Sequence, residues 1–139
     1  MARRRDLLHL TGLGIAAALA RAHAGGDTIP NTTLSSAQAK LTHEPFGELR
    51  IYFSGATSQL KSMTAGSLLL KPGMSPHPPH AHEEEEFLLV TEGTGEISIG
   101  DQVTKVGPGA MMYCAADQMH GIVNTGRTPL LFFFYKWKA

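Results

Sequence analysis

The sequence of 139 residues lacks the features that define several large classes of protein. It has one cysteine, Cys114, so neither an intrachain disulfide nor a cysteine-rich zinc site can form. It has no run of about 18 apolar residues, the length that a helix needs to cross a bilayer. What is left is an ordinary globular composition on the scale of a single domain.

The sequence also lacks net charge, because twelve Lys and Arg balance twelve Asp and Glu. The balance is uneven along the chain. Residues 1–24 contain four arginines and a single acid, Asp6, whereas the remainder has a net charge of −3. Nucleic-acid binding needs clustered Lys and Arg. A mildly acidic remainder without a basic stripe therefore argues against a nucleic-acid partner.

Residues 1–24 have the order of a removable export signal. A positive start is followed by an apolar stretch of eleven residues, 10–20, and then by the small-residue exit Ala22-His23-Ala24. The stretch is too short to span a bilayer of about 30 Å as a helix. We predict cleavage before Gly25 and a periplasmic or secreted mature chain without a membrane span.

The pair Arg4-Arg5 indicates the route of export. Together with the leucines that follow, it resembles a twin-arginine signal, the type that carries proteins already folded. Arg3 and His9 stand where a Ser or Thr and a Lys are usual. An ordinary secretory signal and a basic tail are the alternatives, and the twin-arginine route is the prediction.

The mature chain divides into an N-terminal arm, 25–47, and a β-rich domain, 48–139. The arm is polar, and residues 35–41 could form one short helix behind a serine cap. In the domain, short runs rich in β-branched and aromatic residues are separated by Gly and Pro about every 8–12 residues, which is typical of a sandwich or barrel. The predicted strands are 48–53, 61–70, 79–82, 86–92, 94–99, 102–106, 110–114, 119–124 and 130–137. The predicted fold class is therefore all-β, a small antiparallel barrel.

Two segments in this domain, 87–90 and 131–135, are apolar on both faces. A strand with one wet face alternates between apolar and polar residues, so both faces of these two should be covered. One face would line the barrel, and the other would meet the N-terminal segment or a second subunit. We therefore predict a homodimer.

Histidines and a glutamate form the main candidate site. His80 and His82 are separated by one residue, so on a strand both imidazoles point the same way, and Glu86 has the same parity. Two imidazoles and a carboxylate on one face offer the ligands that divalent Fe, Mn, Ni, Cu or Zn accepts. His120, from a later strand, could close the set. Taken singly, each of these side chains would be read as solvated, but the ordered set predicts a metal site.

The ordered set lies within a longer pattern of glycines. Gly73-x6-His80-x-His82-x3-Glu86-x6-Gly93 resembles the first motif of the cupin superfamily, and Gly109-x10-His120-x3-Asn124 resembles the second. The fifteen residues between Gly93 and Gly109 match the short spacer of small bacterial cupins. The resemblance implies a jelly-roll barrel, or double-stranded β-helix, with a divalent transition metal inside it. It also implies that His80, His82, Glu86 and His120 are the metal ligands.

Two places depart from the cupin pattern. Six residues separate Gly73 from His80 where five are usual, so the loop around His77 carries an insertion. Ala115 and Asp117 stand where Pro and Gly are common. Neither departure touches a ligand position, but both could reshape the mouth of the site, and His77 is expected at its rim.

Three imidazoles and one carboxylate would leave two positions of an octahedral metal for substrate, water or dioxygen. We therefore expect a metal-dependent enzyme acting on a small molecule, with a dioxygenase-type oxidation as the first hypothesis. One alternative is a non-redox isomerase or lyase, for which Asp117 and His77 are the polar candidates for a general base. The other is a non-catalytic protein that binds a sugar or another small molecule. A barrel can host any of these.

The remaining polar and sulfur-containing residues have plainer expected roles. Asn124 is expected to tie a turn to the backbone. Cys114 and Met112 are expected to fill the core rather than to react.

Overall fold

The structure is a computed structural model that describes residues 28–139, so the predicted export signal in residues 1–24 lies outside the described part. Nine strands follow one another within residues 28–139. They are β1 (Lys40–Glu44), β2 (Gly47–Gly55), β3 (Ser62–Leu70), β4 (Glu85–Glu92), β5 (Gly95–Ile99), β6 (Gln102–Val106), β7 (Met111–Cys114), β8 (His120–Asn124) and β9 (Leu130–Lys138).

The strands form two antiparallel sheets. One has six strands in the order β1-β2-β3-β9-β4-β7, and the other has three in the order β6-β5-β8. The last strand, β9, lies between β3 and β4, so it joins the two halves of the larger sheet. This arrangement confirms the predicted all-β jelly-roll fold. Within residues 28–139, no helix has the length and apolar character needed to cross a membrane.

The core lies between the two sheets and follows the alternation of side chains along each strand. Leu88 and Val90 of β4 are paired with Phe134 and Phe132 of β9, and all four side chains are buried. The cluster also contains Leu70, Ile97, Met112, Cys114, Ile122 and Leu130. Each large side chain buried in this way stabilises the fold by roughly 1.5–3 kcal/mol relative to an exposed one.

The outer faces of β4 and β9 are only partly covered in the single chain. Phe87 and Tyr135 on the outer face are 38% and 43% exposed, whereas Leu88 and Phe134 on the inner face are buried. The described N-terminal segment begins with a bridge from Thr28 to the residue that follows β2. One chain thus covers the inner faces of these strands and leaves an apolar outer face in contact with solvent.

The predicted helix over residues 35–41 is wrong. The amides of Gln38 and Ala39 both donate to the carbonyl of Ser35, which closes one turn, and β1 begins immediately afterwards. A helix this short is marginal in water. Pairing with β2 instead satisfies backbone groups along the whole of β1.

The predicted strand over residues 79–82 is also wrong. The structure reduces it to one bridge, in which the backbones of His80 and His120 exchange two hydrogen bonds of 2.9 Å. Pro78 and Pro79 have no N–H to donate, so the ladder cannot extend towards the N-terminus. The bridge nevertheless anchors this loop against β8.

Gly93 shows why the first motif ends on a glycine. Its φ is +80°, and a Cβ atom at this position would lie 2.4 Å from the carbonyl oxygen of Pro129. The left-handed conformation and the close backbone approach both exclude a side chain. The tight connection from β4 to β5 therefore requires glycine.

Candidate metal centre

The three predicted histidines meet at one end of the barrel. His80 and His82 lie on the loop before β4, and His120 is the first residue of β8. The backbone bridge between His80 and His120 brings these distant parts of the chain together. The ligand nitrogens of the three imidazoles all lie within 4.8 Å of one another. These histidines are therefore placed to hold a metal ion.

Glu86 lies on β4 and points into the same cluster. Its Oε2 atom is 3.0 Å from Nε2 of His82 and 2.8 Å from Nε2 of His120. The side chain is 12% exposed and that of His120 is 7% exposed, so the contact is largely shielded from water. The structure thus brings together all four residues that the motif resemblance implied as ligands.

Backbone carbonyls orient two of the imidazoles. Nδ1 of His82 donates to the carbonyl of Glu84 at 3.0 Å, and Nδ1 of His120 donates to the carbonyl of Gln118 at 2.9 Å. A carbonyl can only accept, so each Nδ1 carries the proton. The other ring nitrogen, Nε2, is then the one available to a metal, which is the usual arrangement for metal-binding histidines.

With the protons on Nδ1, a positive charge at the centre of the cluster would stabilise it. With Nδ1 protonated, a neutral imidazole would direct the Nε2 lone pair of His120 at the carboxylate of Glu86, and neither atom could donate. A proton on Nε2 or a metal ion between the ligands removes this repulsion. The donor set of three nitrogens and one carboxylate oxygen therefore fits a divalent transition metal.

The contacts between Glu86 and the imidazoles also shift the pKa values of these groups. The hydrogen bond to Glu86 raises the pKa of His120 against the effect of burial, with help from the carbonyl of Gln118. Burial by itself would raise the pKa of Glu86, but the hydrogen bonds and charges of His120 and His82 bring it below its usual value. Both shifts favour a carboxylate beside an imidazolium.

His80 has a different environment. Burial lowers its pKa, and the imidazoles of His77, His120 and His82 lower it further against the charge of Glu86. The ring of His77 stacks on that of His80 with centroids 3.7 Å apart and an interplanar angle of 22°. His77 is exposed, which agrees with the expected position at the rim.

The four consecutive glutamates have different surroundings. Glu83 forms an ion pair with Lys138, and Glu85 accepts a hydrogen bond of 2.6 Å from the hydroxyl of Tyr113. The carboxylate of Glu84 lies 3.4 Å from Nδ1 of His82 and 3.9 Å from Lys136. Only Glu86 contacts the imidazoles of His82 and His120 through Nε2. The acidic run is therefore not a uniform charged edge, because its last member points into the barrel.

The other candidates contribute to the surroundings of the cluster. Asp117 is exposed, has a φ of +61°, and donates its backbone N–H to the carbonyl of His82 at 2.8 Å. Cys114 is buried opposite Glu86 in the pairing of β4 with β7. Burial raises the pKa of its thiol, and the charge of Glu86 adds to that rise. Asp117 thus shapes the loop, and Cys114 packs as a protonated core residue.

Reasoning from the sequence missed the two carbonyl partners and the stacking of His77. Backbone carbonyls have no residue signature, so nothing in the sequence marks Glu84 or Gln118 as a hydrogen-bond acceptor. The signal for His77 was the extra residue before His80, which shows that the loop is unusual but not where the imidazole points.

The fold and the cluster together define a jelly-roll barrel with three histidines placed to hold a metal ion. A family model described as "Cupin domain" matches residues 66–135. The chain therefore belongs to the cupin family. No curated protein matches the sequence.

Solved structures share the fold at low sequence identity. An RmlC-like cupin from Shewanella frigidimarina is 15% identical, with a TM-score of 0.65 over 80% of this chain and 93% of its own. A predicted oxalate decarboxylase from Thermotoga maritima is 19% identical, with a TM-score of 0.60 over 78% and 100%. The polyketide cyclase RemF from Streptomyces resistomycificus is 20% identical, with a TM-score of 0.63 over 79% and 81%.

Proposed function

We propose that the chain is a metal-dependent enzyme that acts on a small organic molecule. The metal is a divalent transition ion (Fe, Mn, Ni, Cu or Zn), held by His80, His82, Glu86 and His120. One observation carries the proposal. Nε2 of His82 and Nε2 of His120 converge on one oxygen of Glu86, while carbonyls hold the opposite ring nitrogens.

The chain's own residues prepare the site for an ion. The carbonyls of Glu84 and Gln118 keep Nε2 of two imidazoles free of a proton once those imidazoles are neutral. Glu86 supplies a negative charge, and the core behind it shields that charge from water. A metal bound there would supply Lewis acidity or, if it is redox-active, would activate dioxygen beside a substrate.

A dioxygenase-type oxidation is the first reaction that we propose. Three imidazole nitrogens and one carboxylate oxygen are a donor set that would suit a redox-active metal. Two structural neighbours bear the names of a predicted oxalate decarboxylase and a polyketide cyclase, both of which act on small organic molecules by those names. Their names agree with a small organic molecule as the substrate but favour no particular reaction.

A non-redox isomerase or lyase is the second candidate, and His77 is the observation that favours it. Its imidazole lies against a proposed ligand and is exposed, so it is positioned to exchange a proton with solvent. Asp117 is a weaker candidate for the base, because its contact with the cluster is a backbone hydrogen bond to His82, whereas the imidazole of His77 lies against that of His80.

Metal-loaded protein distinguishes these reactions. Fe²⁺, Mn²⁺ and Zn²⁺ are loaded separately, and each form is incubated with small aromatic, hydroxy and dicarboxylic acids while dioxygen uptake and product formation are recorded. The proposal expects dioxygen uptake with Fe²⁺ or Mn²⁺ and none with Zn²⁺. Turnover with Zn²⁺ and no uptake of dioxygen identifies the second candidate. Saturable binding without turnover in every metal form contradicts an enzymatic role.

We also propose that residues 1–24 direct export by the twin-arginine route, which would place the mature chain in the periplasm or outside the cell. The sequence order described above supports this. Residues 1–24 fused to a folded reporter should export it, and replacement of Arg4 and Arg5 by lysine should block export. Export that continues after both replacements contradicts this route.

A homodimer is the proposed assembly. Its support is the outer face of β4, β7 and β9, where Met111, Tyr113, Tyr135 and Phe87 are 64%, 50%, 43% and 38% exposed. Phe87 is paired with both Tyr113 and Tyr135 across neighbouring strands, so these rings form one continuous surface. Contiguous exposed apolar surface of this kind is typical of a contact between proteins.

A further inference from the structure

The three imidazoles of the cluster are not held in the same way. Those of His82 and His120 each donate from Nδ1 to a backbone carbonyl, whereas the ring of His80 has no hydrogen bond to any residue in the described part of the chain. Its contacts in the cluster are with other rings. His82 and His120 meet it edge-on, with centroids 5.1 Å away in both cases.

The face-on contact comes from His77. The two rings lie 3.7 Å apart between centroids and are inclined by only 22°, so the plane of His77 covers a face of His80. His77 is exposed and stacks on the outside of His80, whereas the hydrogen bonds that converge on Glu86 come from His82 and His120. His77 is thus placed to hold a ligand rather than to act as one.

The loop fixes His77 in this position. Prolines at 76, 78 and 79 restrict the backbone on both sides of it, because each ring locks its own φ and limits the residue before it. The imidazole donates from Nδ1 to the carbonyl of Pro78 at 2.9 Å. A ring held this firmly can restrain its neighbour although His77 itself is exposed.

We propose that His77 is a positioning residue. Its stacked ring orients the imidazole of His80, as the backbone carbonyls of Glu84 and Gln118 orient the imidazoles of His82 and His120. The proposal rests on the proposed function, since it assumes that His80 binds the metal. It also assigns a role to a residue of the loop before His80, which is one residue longer than in the cupin pattern.

Two substitutions at His77 separate stacking from every other role of the imidazole. His77→Ala removes the ring, so His80 should reorient freely and the site should bind metal more weakly. His77→Phe keeps a flat ring but no ring nitrogen, so stacking is retained while metal ligation and proton transfer by residue 77 are lost. His43→Ala is the matched control, because His43 lies in β1 with a side chain that is 75% exposed.

The experiment uses the full chain and Co²⁺ as the only added metal. The dissociation constant, the rate of Co²⁺ transfer to a chelator and the visible absorption of the Co²⁺ form are measured for each variant. His77→Ala should weaken Co²⁺ binding about 10-fold, the lower end of the effect of removing an orienting partner of a metal-binding histidine. It should also speed metal loss and shift the absorption bands. His77→Phe should restore values close to those of the unmodified chain, and His43→Ala should not change them.

Three results overturn the proposal, and they are distinguishable. Equal Co²⁺ binding by His77→Ala and the unmodified chain shows that the ring of His77 does not position the imidazole of His80. Weak binding by both His77→Ala and His77→Phe shows that a ring nitrogen of His77 is needed, which makes it a ligand. If the unmodified chain itself does not bind Co²⁺, the proposed metal centre fails and the role of His77 fails with it.

Discussion

At the scale of single residues, Glu86 is the group on which the cluster depends most. Two imidazoles meet one of its oxygens, and its hydrogen bond is the largest cause of the raised pKa of His120. A substitution that removes the charge of Glu86 but keeps its shape should therefore change the pKa of His120, even without a metal.

Glu86→Gln should lower the pKa of His120 in the metal-free protein, because the amide has no charge to stabilise the imidazolium. The measurement is an NMR titration of the His120 ring in chelator-treated protein. Glu85→Gln is the control, since Glu85 is the preceding residue but its carboxylate accepts from Tyr113 instead. An unchanged His120 titration in Glu86→Gln, or an equal shift in Glu85→Gln, would show that the Glu86 contact is not the cause.

The same pair predicts a pH dependence of stability in the metal-free protein. The raised pKa of His120 stabilises the fold fully below its ordinary value of 6.5, and this contribution is lost as pH rises through the raised pKa. The lowered pKa of Glu86 contributes above its ordinary value of 4.5 and is lost as pH falls through the lowered pKa. The pair therefore contributes most between about pH 4.5 and 6.5.

Denaturant unfolding of the unmodified chain and of Glu86→Gln, both metal-free, checks this prediction. The difference in the free energy of unfolding should be largest in that mildly acidic range and should shrink on either side. The comparison between the two proteins also removes most of the effect of His80, whose lowered pKa opposes protonation in both. A difference that grows steadily towards alkaline pH would contradict the assignment.

At the scale of strands and turns, the patterns in the sequence predicted most elements because each strand follows a simple rule. A central strand buries alternate residues or both faces, and Gly or Pro marks each end. The two failures have local causes that compete with this rule. The predicted helix over residues 35–41 is replaced by one turn and by the start of β1, which pairs with β2. Pro78 and Pro79 limit the pairing of the loop before β4 to a single bridge.

The side chain of Asn124 joins β8 to β3 and to the loop between β8 and β9. It is fully buried at the end of β8, its Nδ2 donates to the carbonyls of Leu70 and Thr128 at 3.0 and 2.9 Å, and its Oδ1 accepts from the backbone N–H of Gly126 at 2.9 Å. The expected structural role thus extends beyond a turn, because Leu70 is the last residue of β3.

Asn124→Ala should lower the free energy of unfolding by about 3 kcal/mol, because it leaves buried backbone groups without partners, each at a cost of about 1–3 kcal/mol. Urea denaturation measures the change. Asn31→Ala, at an exposed position, is the control and should cost less than about 0.5 kcal/mol. A similar small loss for Asn124→Ala would show that water replaces the three hydrogen bonds.

At the scale of the whole molecule, the apolar outer face makes the proposed homodimer testable. Tyr135→Glu places a charge on that face and should convert the dimer to a monomer in sedimentation velocity. Val103→Glu, at a position that is 60% exposed on β6, is the control and should leave the dimer intact. A monomeric unmodified chain at tens of micromolar, or a dimer that survives Tyr135→Glu, contradicts this interface.

The candidate site was largely predictable from the sequence, but its chemistry was not. The spacing of His80, His82, Glu86 and His120 was enough to imply their convergence through the cupin resemblance. The ring nitrogen that carries the proton in each imidazole was not predictable, because it depends on which backbone carbonyl lies beside that imidazole. The choice of substrate depends on the shape of the barrel mouth, which a motif does not encode.

The metal content of the purified protein tests the proposed metal centre. The full chain and His120→Ala are produced in a host without added metal, purified without chelating resins, and measured by elemental analysis against protein concentration. We predict close to one divalent transition ion per unmodified chain and almost none in His120→Ala, with the same β-sheet circular dichroism for both. Equal metal content in the two proteins, or no metal in the unmodified chain after refolding with Fe²⁺, Mn²⁺ or Zn²⁺, would contradict it.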